Sequence, residues 1–538
     1  MTPCLPQNDS DAGARADALA NTREDYTFVY DYHDIVSVKS LPLRDETDPC
    51  YWAAILEVTA ELELNKLGIW AKGGPGEGFE SYAKLYATIP TPEIVAAWGS
   101  DEMFAWQAVA GANPVMLRRF TRADARFPIT EAHYARAVVG DTLAAAMSEG
   151  RLYLADYAAL DGLAEGQIGE LKKYNFAPIA LYAWQPKLNA LVAVAIQCGQ
   201  TPGTANPIYT PADGVSWRMA RNCLNVADGN YQGVVSHFAV CHQVMESVIL
   251  CAYRQLAANH PLLQLLKPHF DNTLITNKIA MTNLIGPAGY MDRLQSPTLE
   301  ASLALSTRSI AEFRLTESAP AKVFAARGVD DADTLRDYPA RDDSLLIWAA
   351  NQPFIDDYVR LYYGTDADVA GDTELRAWVA EMGARDGGRL NGIACPQTVL
   401  AVVELIAQIV FRCTAYHASI NYSSFELFSY PPNLQAAGFG PGPTGGPTDT
   451  EAAWLAMLPP FSQASDALYL FYEICKIQLN RIGDYPDGHF EDARVEPLLS
   501  AYKARLDDVE RTIIERNRTR RFAYPFQLPS RISRSIHV

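Results

Sequence analysis

A chain of 538 residues, 49% hydrophobic and 20% charged, can build one very large core or two or three domains, and its composition excludes wholesale disorder. Its formal net charge of -18 argues against nucleic acid as a partner, because phosphate binding needs a basic face, and against electrostatic docking to anionic membranes. A lipid ligand would have to be drawn in by apolar surface and local cations.

Residues 1–25 are rich in Asp, Asn, Ala and Ser and read as a disordered or loosely attached arm. They carry no apolar stretch of the kind a signal peptide needs. From 26 to 538 there is no linker long enough to separate domains and no internal repeat, so this span reads as one domain. Helical periodicity predicts helices over 51–67, 132–148, 232–258, 344–363, 398–419, 464–479 and 494–516. Pro396 stands just before the fifth of these, where proline suits a first turn. Strand-like runs are few and early, at 151–156, 178–184 and 190–197, the last two joined by a short QPKLN turn. The Gly/Pro-rich stretch 438–449 reads as a surface loop between helices. The expected fold class is therefore mainly α, a single large helical domain with a small β element in its first half.

No apolar run is long and clean enough to span a bilayer. The best, 399–410, is short, carries Glu404 and Gln408, and reads as a buried helix. Stable membrane insertion is not expected, leaving at most transient contact. The nine cysteines include no CxxC pair. Cys241, Cys251 and Cys413 lie in apolar runs where a thiol behaves as a small hydrophobe, which suits a reduced, cytoplasmic chain.

The chain has only nine histidines, yet His237, His242, His260 and His269 fall within one stretch of 33 residues. The first two sit on a strongly apolar helix that should end near Asn259, because Pro261 disfavours helix in the residue before it. Residues five apart on a regular α-helix are separated by about 140° around the axis and do not share a small ion. A π-turn at 237–242 would bring them to one face, and such turns concentrate at functional sites. The alternative is two separate core histidines, each bonded to a backbone carbonyl. On the late helix, His417 and Asn421 are four apart and face one direction, about 40° from each other. A His and an amide there suit a borderline metal taking imidazole nitrogen and carbonyl oxygen; the bland reading is a capping Asn and a satisfied His. The chain ends FAYPFQLPSRISRSIHV, extended and apolar to Val538. A buried terminal carboxylate is costly unless it is paired or bound to a cation; the alternative is a terminus that merely packs. HExxH, a Walker loop, a GxSxG elbow and the Rossmann glycine fingerprint are all absent.

Together these segments resemble the lipoxygenase family. His237, His242, His260 and His269 meet its H-x4-H-x17-H-x8-H pattern, and His417, Asn421 and SYPPN its late ligand pair and following segment. The stretches 100–117 (SDEMFAWQAVAGANPVML) and 150–157 (GRLYLADY) are also similar to family segments, as are LLIWAANQPFIDDYVRLYY and DTELRAWVAEM. The resemblance implies non-haem iron, or manganese, held by His237, His242, His417, Asn421 and the Val538 carboxylate, with His260 and His269 structural. It implies dioxygenation of a polyunsaturated fatty acid by O2, with a metal-bound water or hydroxide rather than a side-chain base taking the hydrogen. Ala280 matches the family's stereochemical switch, where alanine goes with S products, and Leu284 a leucine lining the reacting carbon. Lys278 is a weak candidate for the substrate carboxylate, a surface lysine being the preferred reading. The N-terminal β-barrel of plant and animal members is missing, which suggests a minimal, bacterial form. Departures fall in the outer shell: Gln232 and Gly233 replace a His and a Gln, and Ser424 replaces a second Gln. They keep two alternatives open, a fatty-acid hydroperoxide isomerase on the same fold and a non-catalytic lipid-binding relic.

Overall fold

The structure, a computed structural model, describes residues 2–74 and 78–538. It is dominated by helices packed around two long central ones. To position the site we label α1 (Ala12–Asp25), α2 (Val215–Gln255), α3 (Thr273–Asn283) and α4 (Val399–Phe428). The second half of α2 and most of α4 are buried almost without interruption, Val244–Ala252 and Val402–Phe411 forming the centre of the largest apolar cluster. Pro339–Arg360 packs on α4 and on Val495–Thr519, and Leu299–Glu312 lies along the middle of α2.

Both α2 and α4 are long and apolar enough, by composition, to cross a membrane, which corrects the expectation that no run is. Their most apolar windows are 89% and 78% buried inside the protein. They are core helices whose apolar residues are spent on neighbouring helices.

The β element is a five-stranded antiparallel sheet whose central strands are β1 (Leu152–Asp156), β2 (Ile179–Gln185) and β3 (Ala190–Gln197). Leu152 pairs with Ala183, and Trp184 with Leu191 across the QPKLN turn, where Asn189 takes a φ of 47° that asparagine tolerates. Both faces are covered. Leu152 and Leu154 meet Phe120, Phe127 and Tyr134, while Tyr153 and Ala155 join a cluster with Phe104 and Trp217.

Two expectations change. The helix expected over 132–148 is two short ones, Glu131–Ala135 and Leu143–Ser148. Gly140 at φ 76° turns the chain between them, and Asp141 anchors the turn by accepting from Arg151 at 2.7 Å and the Tyr134 hydroxyl at 2.9 Å. In the segment 1–25, expected to be a loose arm, the described residues, 2–25, instead include α1 and dock. Arg15 is buried and donates to Glu374 at 2.9 Å and to Asn259 at 2.8 Å. Glu374 also accepts the Ala257 N–H at 2.9 Å, just beyond α2, which ends at Gln255 rather than near Asn259.

Arg15→Ala should therefore leave the Glu374 carboxylate buried with one partner fewer. A loss of about 3–5 kcal/mol is expected, the usual cost of breaking a buried ion pair. Urea denaturation measures it, and limited proteolysis should newly cut within residues 1–25. A loose arm predicts cutting in the wild type and no change in stability.

Candidate metal centre and substrate cavity

Residues 232–243 of α2 are wound as a π-helix, longer than the single turn expected from the His237–His242 spacing. Extra residues per turn let side chains five apart converge. A second π segment, Arg412–Tyr416, immediately precedes His417 on α4. Gln232 ties the two helices together, its Nε2 donating to Ile420 O at 2.7 Å.

His237, His242 and His417 converge on one point, with His242 Nε2 3.1 Å and His417 Nε2 3.4 Å from His237 Nε2. Neighbouring nitrogens on one ion, each about 2.0–2.1 Å from it, would stand roughly 3 Å apart. The observed spacing fits that arrangement. All three rings are held neutral. Burial away from water pushes His237 and His417 well below the ordinary histidine range, their neighbouring imidazoles adding to the shift, and pushes His242 to about 4. Neutral imidazoles aimed at one point offer lone pairs, the form in which histidine binds a metal.

Asn421 supplies a further fit. Its Nδ2 donates to Ile474 O at 2.7 Å, which fixes the amide, while its Oδ1 is buried with no partner. A buried orphan carbonyl costs about 1–3 kcal/mol unless something takes its lone pairs. The chain terminus arrives at the same place: the Val538 main chain acts on the His417 ring, and Val538 lines one cavity with His237 and His242. His269 explains how that terminus is held. Its Nδ1 bonds Arg534 O at 2.8 Å and its Nε2 the Tyr485 hydroxyl at 2.9 Å, while His260 Nε2 bonds Asp372 at 3.0 Å. Neither joins the cluster.

The cavity is about 120 Å³ and is lined by Ala280 and Leu284 together with Phe238, Ile285, Leu294 and Phe471. Ligand pockets commonly run to about 300–1,000 Å³, so this cavity is small beside them. Lys278 pairs with Glu46 at 2.5 Å; Ala280, two residues on, lines the cavity.

Sequence reasoning missed three residues. His242 Nδ1 lies 2.7 Å from Asn277 Oδ1, so this nitrogen carries the proton and Nε2 keeps its lone pair. Asn277 Nδ2 in turn donates to Glu246 at 2.6 Å, and Glu246 accepts the Val38 N–H at 2.8 Å. Burial pushes the Glu246 carboxyl up to about 7, against the pull of both hydrogen bonds. The available signal was an acid one helical turn after His242 in an otherwise apolar run. Gln295 is the third. A Cβ on Gly233 would lie 2.0 Å from Gln295 Nε2, so the Gln295 amide fills the space that a side chain at 233 would occupy. Its Oε1 is buried and unpartnered beside the cavity.

A lipoxygenase family profile matches residues 79–524. The chain is similar to a linoleate 9/13-lipoxygenase of Pseudomonas aeruginosa, 35% identical over 87% of this chain and 71% of that protein. It is 30% identical to the hydroperoxide isomerase ALOXE3 of Homo sapiens, over 88% of this chain and 67% of the relative. A LOX crystallised anaerobically in complex with arachidonate has the same fold, with a TM-score of 0.92 at 27% identity, covering 100% of this chain and 84% of that one.

Removing the acceptor that fixes the His242 tautomer should loosen a metal at this cluster. Asn277→Ala is expected to weaken metal retention about 10- to 100-fold, the usual effect of losing such a partner. Metal content after graded dialysis against a chelator reads it, and an unchanged retention curve would refute the orienting role.

Proposed function

The chain belongs to the lipoxygenase family of non-haem metal dioxygenases, and we propose that it inserts O2 into polyunsaturated fatty acids of the linoleate type. In this reading His237, His242, His417, Asn421 and the Val538 carboxylate hold iron, or less readily manganese. The observation that carries it is the meeting of three neutral imidazoles, an orphaned amide oxygen and the chain terminus beside one apolar cavity. When bound, the metal supplies the one-electron chemistry that removes a hydrogen atom from a bis-allylic carbon.

The remaining tasks fall to the chain's own residues. Asn277 keeps the His242 lone pair directed inward. Leu284 and Phe238 wall the cavity, holding the pentadiene and excluding water from its radical. Ala280 sets how much room O2 has at one end of that radical. The similarity to a linoleate 9/13-lipoxygenase and to a LOX that binds arachidonate supports the substrate class.

A second reading, isomerisation of a fatty-acid hydroperoxide, is favoured by the unpartnered Gln295 Oε1 beside the cavity, which could accept from an O–H on the substrate. It is also in keeping with the ALOXE3 similarity. Oxygen consumption with linoleate separates the two, since isomerisation removes hydroperoxide without consuming O2.

Chiral chromatography of the products tests Ala280. The wild type should give mainly S hydroperoxide, and Ala280→Gly should raise the R fraction by opening space. Mainly R product from the wild type would overturn this role. The terminus is tested by its position. Val538→Ile should keep metal and turnover, costing about 1–3 kcal/mol of packing at most. Deleting Val538, or extending the chain beyond it, should lower metal content and oxygenation together. A C-terminally extended protein with full metal and normal turnover would remove Val538 from the ligand set.

A further inference from the structure

The two π segments have a second side. Residues 237, 238 and 242 line the cavity described above, whereas Val235, Ser236 and Val240 line another, shared with Arg412, Tyr416 and Ser419 of α4. This cavity is about 450 Å³, larger than the histidine cavity and within the common range for ligand pockets. No histidine lines it.

Its most unusual member is Arg412, which is 5% exposed. The guanidinium is held between two rings, 4.3 Å from the centres of both Phe313 and Tyr416. Its Nη1 donates to Val240 O at 2.7 Å, and its Nε is buried with no partner. Arg327, on the wall, likewise has Nε and Nη2 buried without partners. Among the described residues neither arginine forms an ion pair, although Glu312 and Glu317 also line the cavity. An enclosed guanidinium without an anion is costly, and a carboxylate can satisfy it through paired N–H donors. The remaining walls include Phe324, Val323 and Val115. These suit an acyl chain, and Ser309, Ser318 and Ser344 stand beside them as hydroxyl donors near the arginines.

We propose that this cavity is a second lipid site, taking a long-chain carboxylate with its head on Arg412 and its tail along the apolar wall. It is separate from the cavity in which the fatty acid would be oxygenated. Val240 and Tyr416 stand two and one residues from His242 and His417, so an occupant touches both segments that carry the histidine cluster. The proposal rests on the function proposed above only for the idea that fatty acids are at hand; the unpaired guanidinium and apolar walls stand without it.

Equilibrium dialysis of the metal-loaded protein with radiolabelled stearate, which has no bis-allylic carbon to oxidise, tests it. The wild type should bind two stearates per chain. In Arg412→Met one of the two should weaken about 10- to 100-fold, the loss expected of a charge-assisted hydrogen bond. Val323→Trp, filling the cavity from a half-buried position, should abolish the same binding event without touching Arg412, which guards against misfolding of the first variant. Oxygen uptake at low linoleate, measured on the same samples, should change less than about twofold in Val323→Trp, within the range of a distant substitution. Stearate binding of unchanged stoichiometry and affinity in both variants, whether one or two are bound by the wild type, would overturn the second site. Normal oxygen uptake alongside that result would leave the proposed function standing, and its absence would remove that separately.

Discussion

Three imidazole rings facing one another in a dry core are the constraint on which the rest of this structure depends. The Nε2 atoms of His242 and His417 stand 3.1 and 3.4 Å from that of His237, where none can be protonated without meeting its neighbours. In water such a cluster would disperse or take up protons. Here it is held by covalent winding: one π segment carries His237 and His242, another delivers His417, and Gln232 clamps the two helices at Ile420. The helices that pay for this geometry are the most deeply buried of the fold, so the strain of two non-α segments is offset by apolar packing on both sides.

The outer shell shows how a departure in sequence can be met in space. Position 233 has no side chain, yet the room beside it is filled by Gln295, which arrives from beyond Tyr290–Leu294. Gln295 is pinned from behind by Lys173, a fully buried lysine whose ammonium donates to the carbonyl oxygens of Asp292 and Gln295. Burial pushes that lysine down to about 8, so the cavity wall leans on a cation whose charge the surroundings oppose. Replacing Gly233 with anything larger would displace this amide, which makes the glycine and the glutamine a coupled pair rather than two independent changes.

Much of this was legible in the sequence because local rules agreed with the global fold. The His237–His242 spacing demands a π-turn if both are to reach one ion, and α2 has one. The second π segment was not legible, since His417 and Asn421 share a face on an ordinary helix and need none. The central strands were readable as β-branched and aromatic runs around a short turn. The break at Gly140 and Asp141 was not, because the arginine that fixes it, Arg151, lies beyond the helical pattern. Docking of α1 depends on Arg15 meeting Glu374, 359 residues away, and no periodicity records such a pairing. Asn277 and Gln295 were missed for the same reason: each matters through a partner on another element.

The chain terminus extends this logic. A last residue is the least constrained point of most chains, yet here the approach to Val538 is fastened repeatedly. Arg534 donates to Pro268 O at 3.1 Å and to Asp271 at 2.8 Å, and Asn480 accepts the Arg534 N–H at 2.7 Å. His537 accepts the Leu479 N–H at 3.2 Å and meets the Ser535 hydroxyl at 3.1 Å. These bonds hold the Val538 main chain beside the His417 ring. His269, which stands in the histidine-rich stretch but not in the cluster, contributes by holding Arg534. It thus acts on the terminus rather than on the centre itself.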